Sequence, residues 1–263
     1  MGRRVLAGAL LASLALLPSC GDDTVRLSFV PAAGERAEYR IRVRAEAVTT
    51  VGDEPARRTV DDTELVASHE VLDSGEGGSR VSVRLAEEGK APSAFVVRFD
   101  QRGRPVEVQQ TEGAAAAVAD LGLSELFPGA AGVPPERRLA PGDRWTIDAP
   151  VALAGPARAR LAGEGRLVAL EAAGGRRLAR VESGYRLPVR RTAEQTGGRL
   201  VLDGSLDTTA RVAYDLDDDV VHSVRARTTG RYRVTLLPPD GVVGPPVPGT
   251  LVVDVDSTTR RVG

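Results

Sequence analysis

The stretch Tyr39-Arg40-Ile41-Arg42-Val43-Arg44-Ala45-Glu46-Ala47 alternates apolar and charged side chains. A period of two places successive side chains on opposite faces of a strand, so this stretch predicts a β-strand with one buried and one solvated face. The turn Gly34-Glu35-Arg36 precedes it and predicts an earlier strand at residues 25–30. Further strands are predicted at residues 81–85, 94–99 and 106–108. The short connections between them favour antiparallel hairpins over crossover helices.

A second series of strands is predicted after residue 143. Its members are residues 144–147, 157–162, 166–171, 177–182, 199–202, 208–214, 220–228, 231–236 and 250–255. The glycine-rich patches 75–78 and Gly163-Glu164-Gly165 are predicted to be turns, because they lack the strand and helix context and the lysine of a phosphate loop. Residues 238–248 are predicted to be a surface loop, since their prolines cannot donate ladder hydrogen bonds.

Residues 111–127 break the alternation and predict one modest helix. Ala114, Val118 and Leu121 fall on one face at helical spacing, and Thr111 suits an N-terminus. The apolar face of this helix is expected to pack on the sheet. The predicted fold class is therefore mainly β, with an antiparallel curved sheet or open barrel and one short helix packed on it.

The N-terminus has the order of a secretory signal. Arg3 and Arg4 precede an apolar run at residues 5–17, which is too short to span a membrane as a helix. The stretch Leu17-Pro18-Ser19-Cys20 resembles the lipobox of bacterial lipoproteins, in which the peptidase cuts before a cysteine that carries a diacylglycerol. This resemblance implies acylation of Cys20 and an exported chain that is lipid-anchored to the bacterial cell membrane or envelope.

These features predict a division of the chain into a signal peptide at residues 1–19, a lipidated tether at 20–24 and a single β-rich domain at 25–263. The domain can be divided into halves at 25–110 and 144–263, joined by the helix and the Pro/Gly-rich connector at 111–143. Cleavage before Cys20 would leave 33 basic and 36 acidic side chains, since Arg3 and Arg4 are lost from the 35 basic residues. The mature chain would be mildly acidic, so its expected hold on the membrane is the lipid.

The composition excludes several kinds of chemistry. The chain has a formal charge of −1, one cysteine, two histidines and 3% aromatic residues. These values argue against broad nucleic-acid affinity, an intramolecular disulfide, a zinc site and base-stacking platforms. His69 and His222 lie in strand-like stretches, and no serine sits in a Gly-x-Ser-x-Gly elbow. No catalytic residue, cofactor or metal site is predicted.

The acidic run Asp215-Leu216-Asp217-Asp218-Asp219 is the best metal candidate. Asp215, Asp217 and Asp219 match positions 1, 3 and 5 of a calcium loop. Val220 replaces the glycine expected at position 6, and Ala226 stands where a bidentate glutamate is needed. The preferred interpretation is an Asp-rich hairpin turn, with weak calcium binding as the alternative.

Two aromatic residues are predicted to be structural. Tyr39 opens the first alternating strand, and Trp145, the single tryptophan, begins a strand where it is expected to anchor a core edge rather than contact a ligand. The chain carries five short motifs that include or accompany these aromatic residues: Gly34–Tyr39, Leu126-Phe127-Pro128, Pro134-Pro135, Leu139–Trp145, and Tyr214-Asp215 followed by Ser223. With these motifs it resembles an uncharacterised family of secreted bacterial β-rich proteins that share a Gly-Asp-x-Trp strand entry. A looser likeness, at the level of fold, is to half-barrel envelope lipoproteins.

The predicted function is a non-catalytic envelope lipoprotein that binds an apolar ligand or serves as a surface domain. The alternative is a protein-interaction or scaffold lipoprotein that uses sheet edges or the 238–248 loop. A hydrolase whose carboxylates are not visible as a motif is the least favoured reading. The expected partners are the membrane, through the N-terminal lipid, and an apolar ligand or envelope protein. Nucleic acid is not an expected partner.

Overall fold

A computed structural model describes residues 24–27, 31–101, 105–110, 134–152, 158–195, 198–239 and 241–262. These residues form one antiparallel sheet of eleven strands. The strands are β1 (Arg36–Val51), β2 (Arg57–Gly75), β3 (Gly78–Glu87), β4 (Ser93–Phe99), β5 (Pro105–Gln110), β6 (Arg144–Ala152), β7 (Arg158–Ala173), β8 (Arg176–Gln195), β9 (Gly198–Asp215), β10 (Val220–Leu237) and β11 (Val247–Arg261). The predicted antiparallel β fold is confirmed.

The sheet is a meander whose two series join through β1 and β11. Its order is β5-β4-β3-β2-β1-β11-β10-β9-β8-β7-β6, so the first and last strands of the chain pair at its centre. Ten strand spacings of about 4.8 Å would separate the edges of a flat sheet by about 48 Å. Yet Cα atoms of the edge strands β5 and β6 come within 8 Å of one another. The sheet is therefore strongly curved. Among the described residues, no hydrogen-bonded pairing of β5 with β6 closes it.

The two faces of the sheet differ in chemistry because of the alternation along each strand. Side chains on the inner face form two buried clusters, one over β1 to β4 and the other over β6 to β10. The outer face carries charged side chains that pair across strands, as in Arg42–Glu64 at 2.6 Å and Arg186–Asp207 at 2.7 Å. The arginines of the first quoted stretch are thus a solvated face, as the period of two predicts.

Several predicted boundaries differ from those of the structure. The strand β2 has no predicted counterpart, because its first half carries polar side chains at both parities and exposes both faces. The strands predicted at 199–202 and 208–214 are one continuous strand, β9, and those at 220–228 and 231–236 are one strand, β10. These long strands contain glycines in their interiors. In the sequence alone, such glycines suggest that the strand is interrupted.

The assignment of Gly163-Glu164-Gly165 to a turn is wrong. Both glycines lie inside β7, opposite Ile147 and Trp145 of β6. A Cβ at Gly163 would lie 2.1 Å from the carbonyl oxygen of Gly184. The glycines are required here by close approach of neighbouring backbone and side chains within the sheet. The patch at 75–78 does form the β2–β3 turn, where Gly75 pairs with Gly78.

The N-terminal strand predicted at 25–30 is also not observed as such. Val25 forms an isolated antiparallel bridge with Leu139, just before β6, and Leu27 packs in the second cluster. The backbone of Val25 donates to and accepts from Leu139 at 2.9 and 2.8 Å. The chain therefore enters the fold beside β6 rather than as a hairpin partner of β1. Residues 28–30, the predicted helix at 111–127 and Cys20 lie outside the described residues.

Candidate functional site on the inner face

The two aromatic residues predicted to be structural lie in different clusters of the inner face. Tyr39 is 5% exposed and packs over β1 to β4, and burial raises its pKa to about 12. Trp145 is 8% exposed and packs over β6 to β10. The raised pKa of Tyr39 keeps its phenol protonated at physiological pH.

The indole ring of Trp145 lies over its cross-strand partner, which has no side chain. Gly165 is directly opposite Trp145, and a Cβ built at Gly165 would lie 2.2 Å from the tryptophan Cε2. The next position in this cross-strand row is Ser183, which is opposite Gly165 and is buried, with an exposure of 6%. The small residues in this cross-strand row leave space on the inner face, and the indole ring of Trp145 fills it.

His69 lies beside Tyr39, next to the first cluster. The two ring centroids are 4.8 Å apart, and the planes are tilted by 47°. Burial lowers the pKa of His69 to about 4, so the imidazole is neutral in the folded protein near pH 7. A neutral, half-buried histidine against a tyrosine is a packing arrangement, and His222 lies far from it in sequence, on β10.

The depressed pKa of His69 predicts a loss of stability in mild acid. The unfolded chain takes up a proton at His69 near pH 6.5, whereas the folded chain does so only near pH 4. The stabilisation is therefore present above pH 6.5 and is lost as the pH falls toward 4. Urea unfolding at pH 7.5, 6.0 and 5.0 should show this decline in the wild type.

In His69→Gln the decline between pH 7.5 and 5.0 should be much smaller, although the variant is less stable at every pH. The carboxyl groups do not mask the effect, since ordinary aspartate pKa values lie near 4. An equal decline in both proteins would contradict the assignment to His69.

The inner face continues past the two clusters as a half-buried apolar surface. One cross-strand row runs from Ala47 through Val253, Gly230 and Leu206 to Leu187, on β1, β11, β10, β9 and β8. The apolar side chains that are half-buried in this part of the sheet are defined here as the distal inner face. They are Ala47, Leu187, Leu202, Leu206, Tyr232, Leu251 and Val253.

The acidic run 215–219 forms the turn between β9 and β10. Asp219 adopts a positive φ of 52°, and Oδ1 of Asp215 accepts hydrogen bonds from the backbone N–H groups of Asp217 and Asp218 at 3.1 and 3.4 Å. The carboxyl group of Asp215 is fully buried and also bonds Arg176. These contacts describe the hairpin turn that the sequence favours.

Arginines surround the remaining carboxyl groups of this turn. Arg176 and Arg261 bond Oδ2 of Asp218 at 2.6 and 2.7 Å and hold its pKa below the usual range. Arg177 bonds Asp217 at 2.8 Å and lowers the pKa of that carboxyl through backbone and side-chain hydrogen bonds. Across the described ranges, no three His, Cys, Asp or Glu side chains are grouped to hold a metal ion.

Comparison with known proteins assigns no family to this chain. No protein-family model matches the chain, and no curated protein sequence matches it. Among solved structures it is similar to DynF from the dynemicin biosynthesis pathway of Micromonospora chersina, with 11% identity over 97% of this chain and 92% of that chain. The TM-score is 0.23, which carries no argument about fold or function. In the part of the chain that the structure describes, no helix is long and apolar enough to span a membrane.

Proposed function

We propose that the protein is a non-catalytic, membrane-anchored envelope lipoprotein whose curved sheet binds an apolar ligand on its inner face. The observation that carries the ligand proposal is the distal inner face. Its side chains continue the rows of the packed core, but they are only half-buried. Extended apolar surface that stays accessible on a folded protein is typical of a binding surface.

The geometry of the distal inner face suits a long, narrow apolar group. The row from Ala47 to Leu187 crosses five strands, about 19 Å at four strand spacings. No charged side chain interrupts this row, and the side chains of Tyr232 and Leu206 cover Gly230 at its centre. An acyl chain lying across the strands would cover this surface and gain the free energy of apolar burial.

The ligand proposal is tested by placing a carboxylate on the inner face of β11 in one variant and on its outer face in another. Val253 belongs to the distal inner face, whereas Val252 is opposite Arg231 and Val48 and faces outward. Val253→Asp should weaken the binding of a fluorescent fatty acid by at least about tenfold, because an acyl chain would then bury a carboxylate. Fluorescence titration measures the affinity.

The matched control is Val252→Asp, which should change the affinity by less than about twofold. Mass spectrometry of lipid extracted from the purified wild type and both variants gives a second readout. Equal affinity in the two variants, or a wild type that binds no fatty acid and carries no lipid, would contradict the proposal.

The anchor proposal depends on Cys20 and its resemblance to a lipobox. If Cys20 is acylated, metabolic labelling with an alkyne fatty acid should label the wild type, and Cys20→Ala should lose nearly all of the label. In-gel fluorescence after click chemistry measures this, with a protein-level blot as the loading control. Labelling of Cys20→Ala as strong as in the wild type would rule out this anchor.

A second candidate function is a scaffold that binds another envelope protein. The observation that favours it lies in the loop between β10 and β11, where Val242 and Val243 are exposed and the side chain of Val243 is fully open to solvent. Adjacent exposed valines in a proline-rich loop are suited to contact a partner. This function predicts co-purification of an envelope protein that is lost in Val242→Ser/Val243→Ser and retained in Val253→Asp.

A further inference from the structure

The outer face of the sheet carries a groove of about 860 Å³ across β6 to β11. Its walls are charged side chains that alternate along the strands with buried core residues, so they point away from the core. For example, Arg144 precedes the buried Trp145, and Arg166 precedes the buried Leu167. The lining includes five arginines and three acidic residues, an excess of two positive charges.

Four of these arginines lie in one cross-strand row. Arg144 is directly opposite Arg166, and Arg211 is directly opposite Arg225. Glu182 separates the two pairs, because it is opposite both Arg166 and Arg211. Like charges that face each other across a strand pair are destabilising, so this row conflicts with the usual design of a sheet surface.

At another position on the outer face, two facing arginines are each neutralised by an acid. Arg80 is opposite Arg98, but Arg80 pairs with Asp73 at 2.5 Å and Arg98 pairs with Glu107 at 3.2 Å. The groove differs, because Glu182, the one acidic residue in its row, already pairs with an arginine.

Glu182 bonds Arg211 at 3.0 Å. Among the described residues no ion pair within 4.0 Å involves Arg144, Arg166 or Arg225. Their guanidinium groups are therefore available to an external anion, and a bound anion would relieve the repulsion that the row now carries.

The geometry points to a binding site for a phosphate group in this groove. Guanidinium groups bind phosphate through paired, charge-assisted hydrogen bonds. A phosphate presents more acceptor oxygens than a carboxylate does, so it can bond several arginines at once. Small residues in the lining, including Gly184 and Thr209, leave room for the group between the arginines.

The position of the groove brings it near the point where the chain enters the fold. Arg137 donates to the backbone oxygen of Arg144 at 3.3 Å, and the neighbouring Arg138 donates to the backbone oxygen of Thr24 at 2.6 Å. Thr24 is four residues from Cys20, a span of at most about 14 Å. If Cys20 is acylated as proposed above, the phosphate can come from a lipid headgroup. A free phosphate compound is the other source of the same chemistry.

The test measures phosphate binding by the full chain in a nonionic detergent. Isothermal titration calorimetry at low ionic strength is carried out with inorganic pyrophosphate and, separately, with a short-chain phosphatidylglycerol. The wild type should bind at least one of these probes. The variant Arg144→Gln/Arg166→Gln/Arg225→Gln should bind at least about tenfold more weakly, because it loses three guanidinium groups of the site.

The control variant Arg58→Gln/Arg80→Gln/Arg98→Gln removes the same charge from other parts of the outer face and should bind within about twofold of the wild type. Circular dichroism checks that both variants are folded. Binding of pyrophosphate alone supports a free phosphate ligand, and preferred binding of phosphatidylglycerol supports a headgroup. A wild type that binds neither probe, or an equal loss in the two triple variants, would overturn the site. Neither result depends on whether the inner face binds a fatty acid.

Discussion

Replacing Asp215 by alanine is expected to lower the free energy of unfolding by about 3 kcal/mol. Its carboxyl group is fully buried at the β9–β10 turn. It accepts hydrogen bonds from two backbone N–H groups of the turn and from Arg176. Alanine would leave the two backbone donors without this acceptor, and Arg176 would keep only Asp218 as an ion-pair partner. Urea unfolding followed by circular dichroism measures the change.

The control for this prediction lies two residues further along the same turn. Asp217 is 40% exposed and pairs with the exposed Arg177. Asp217→Ala should cost no more than about 1 kcal/mol, because exposed ion pairs contribute little. Equal losses in the two variants would show that the turn depends on total negative charge rather than on the buried carboxyl group. Calcium should leave the stability of the wild type unchanged if these carboxyl groups serve only the turn.

Replacing Gly165 by alanine is expected to destabilise the protein by about 1–3 kcal/mol, as overpacking of a core does. The new Cβ would lie 2.2 Å from Cε2 of Trp145, so the indole ring must move. Trp145 is the single tryptophan of the chain, so its fluorescence reports this site alone. We expect a red shift of the emission maximum as the ring becomes more exposed, together with a lower urea midpoint.

Gly184→Ala is the matched control on the neighbouring strand. Its Cβ would meet no atom closer than the backbone oxygen of Thr208 at 4.0 Å. The stability should therefore change by no more than about 0.5 kcal/mol, and the emission maximum should stay where it is. A red shift in Gly184→Ala, or none in Gly165→Ala, would contradict the packing described for Trp145.

The strand content of the chain can be predicted where apolar and charged side chains alternate along the sequence. Tyr39 to Ala47 has that pattern, and β1 covers it. The pattern is lost in the first half of β2, which exposes both faces, and the sequence accordingly predicts no strand there. Glycine is misleading for a different reason. Gly163, Gly165, Gly204 and Gly230 resemble breaks, but they lie within long strands where neighbouring backbone or aromatic rings approach too closely for a Cβ.

The candidate sites could not be predicted in the same way, because each is assembled from distant strands. The distal inner face joins β1 to β8 through rows that depend on the pairing of β1 with β11. The phosphate groove places Arg144 and Arg225 in one row, although 81 positions separate them in the sequence. Each arginine by itself is an ordinary solvated position on an alternating strand.

The sequence by itself determined the antiparallel β class, the two chemical faces of the strands and the turn at 215–219. Alternation and turn chemistry are local, so neighbouring residues carry that information. Only the tertiary structure decided the order of the strands, the curvature that brings β5 and β6 together and the register that aligns four arginines. Register depends on which strands meet and how they are offset, and these follow from packing across the whole sheet.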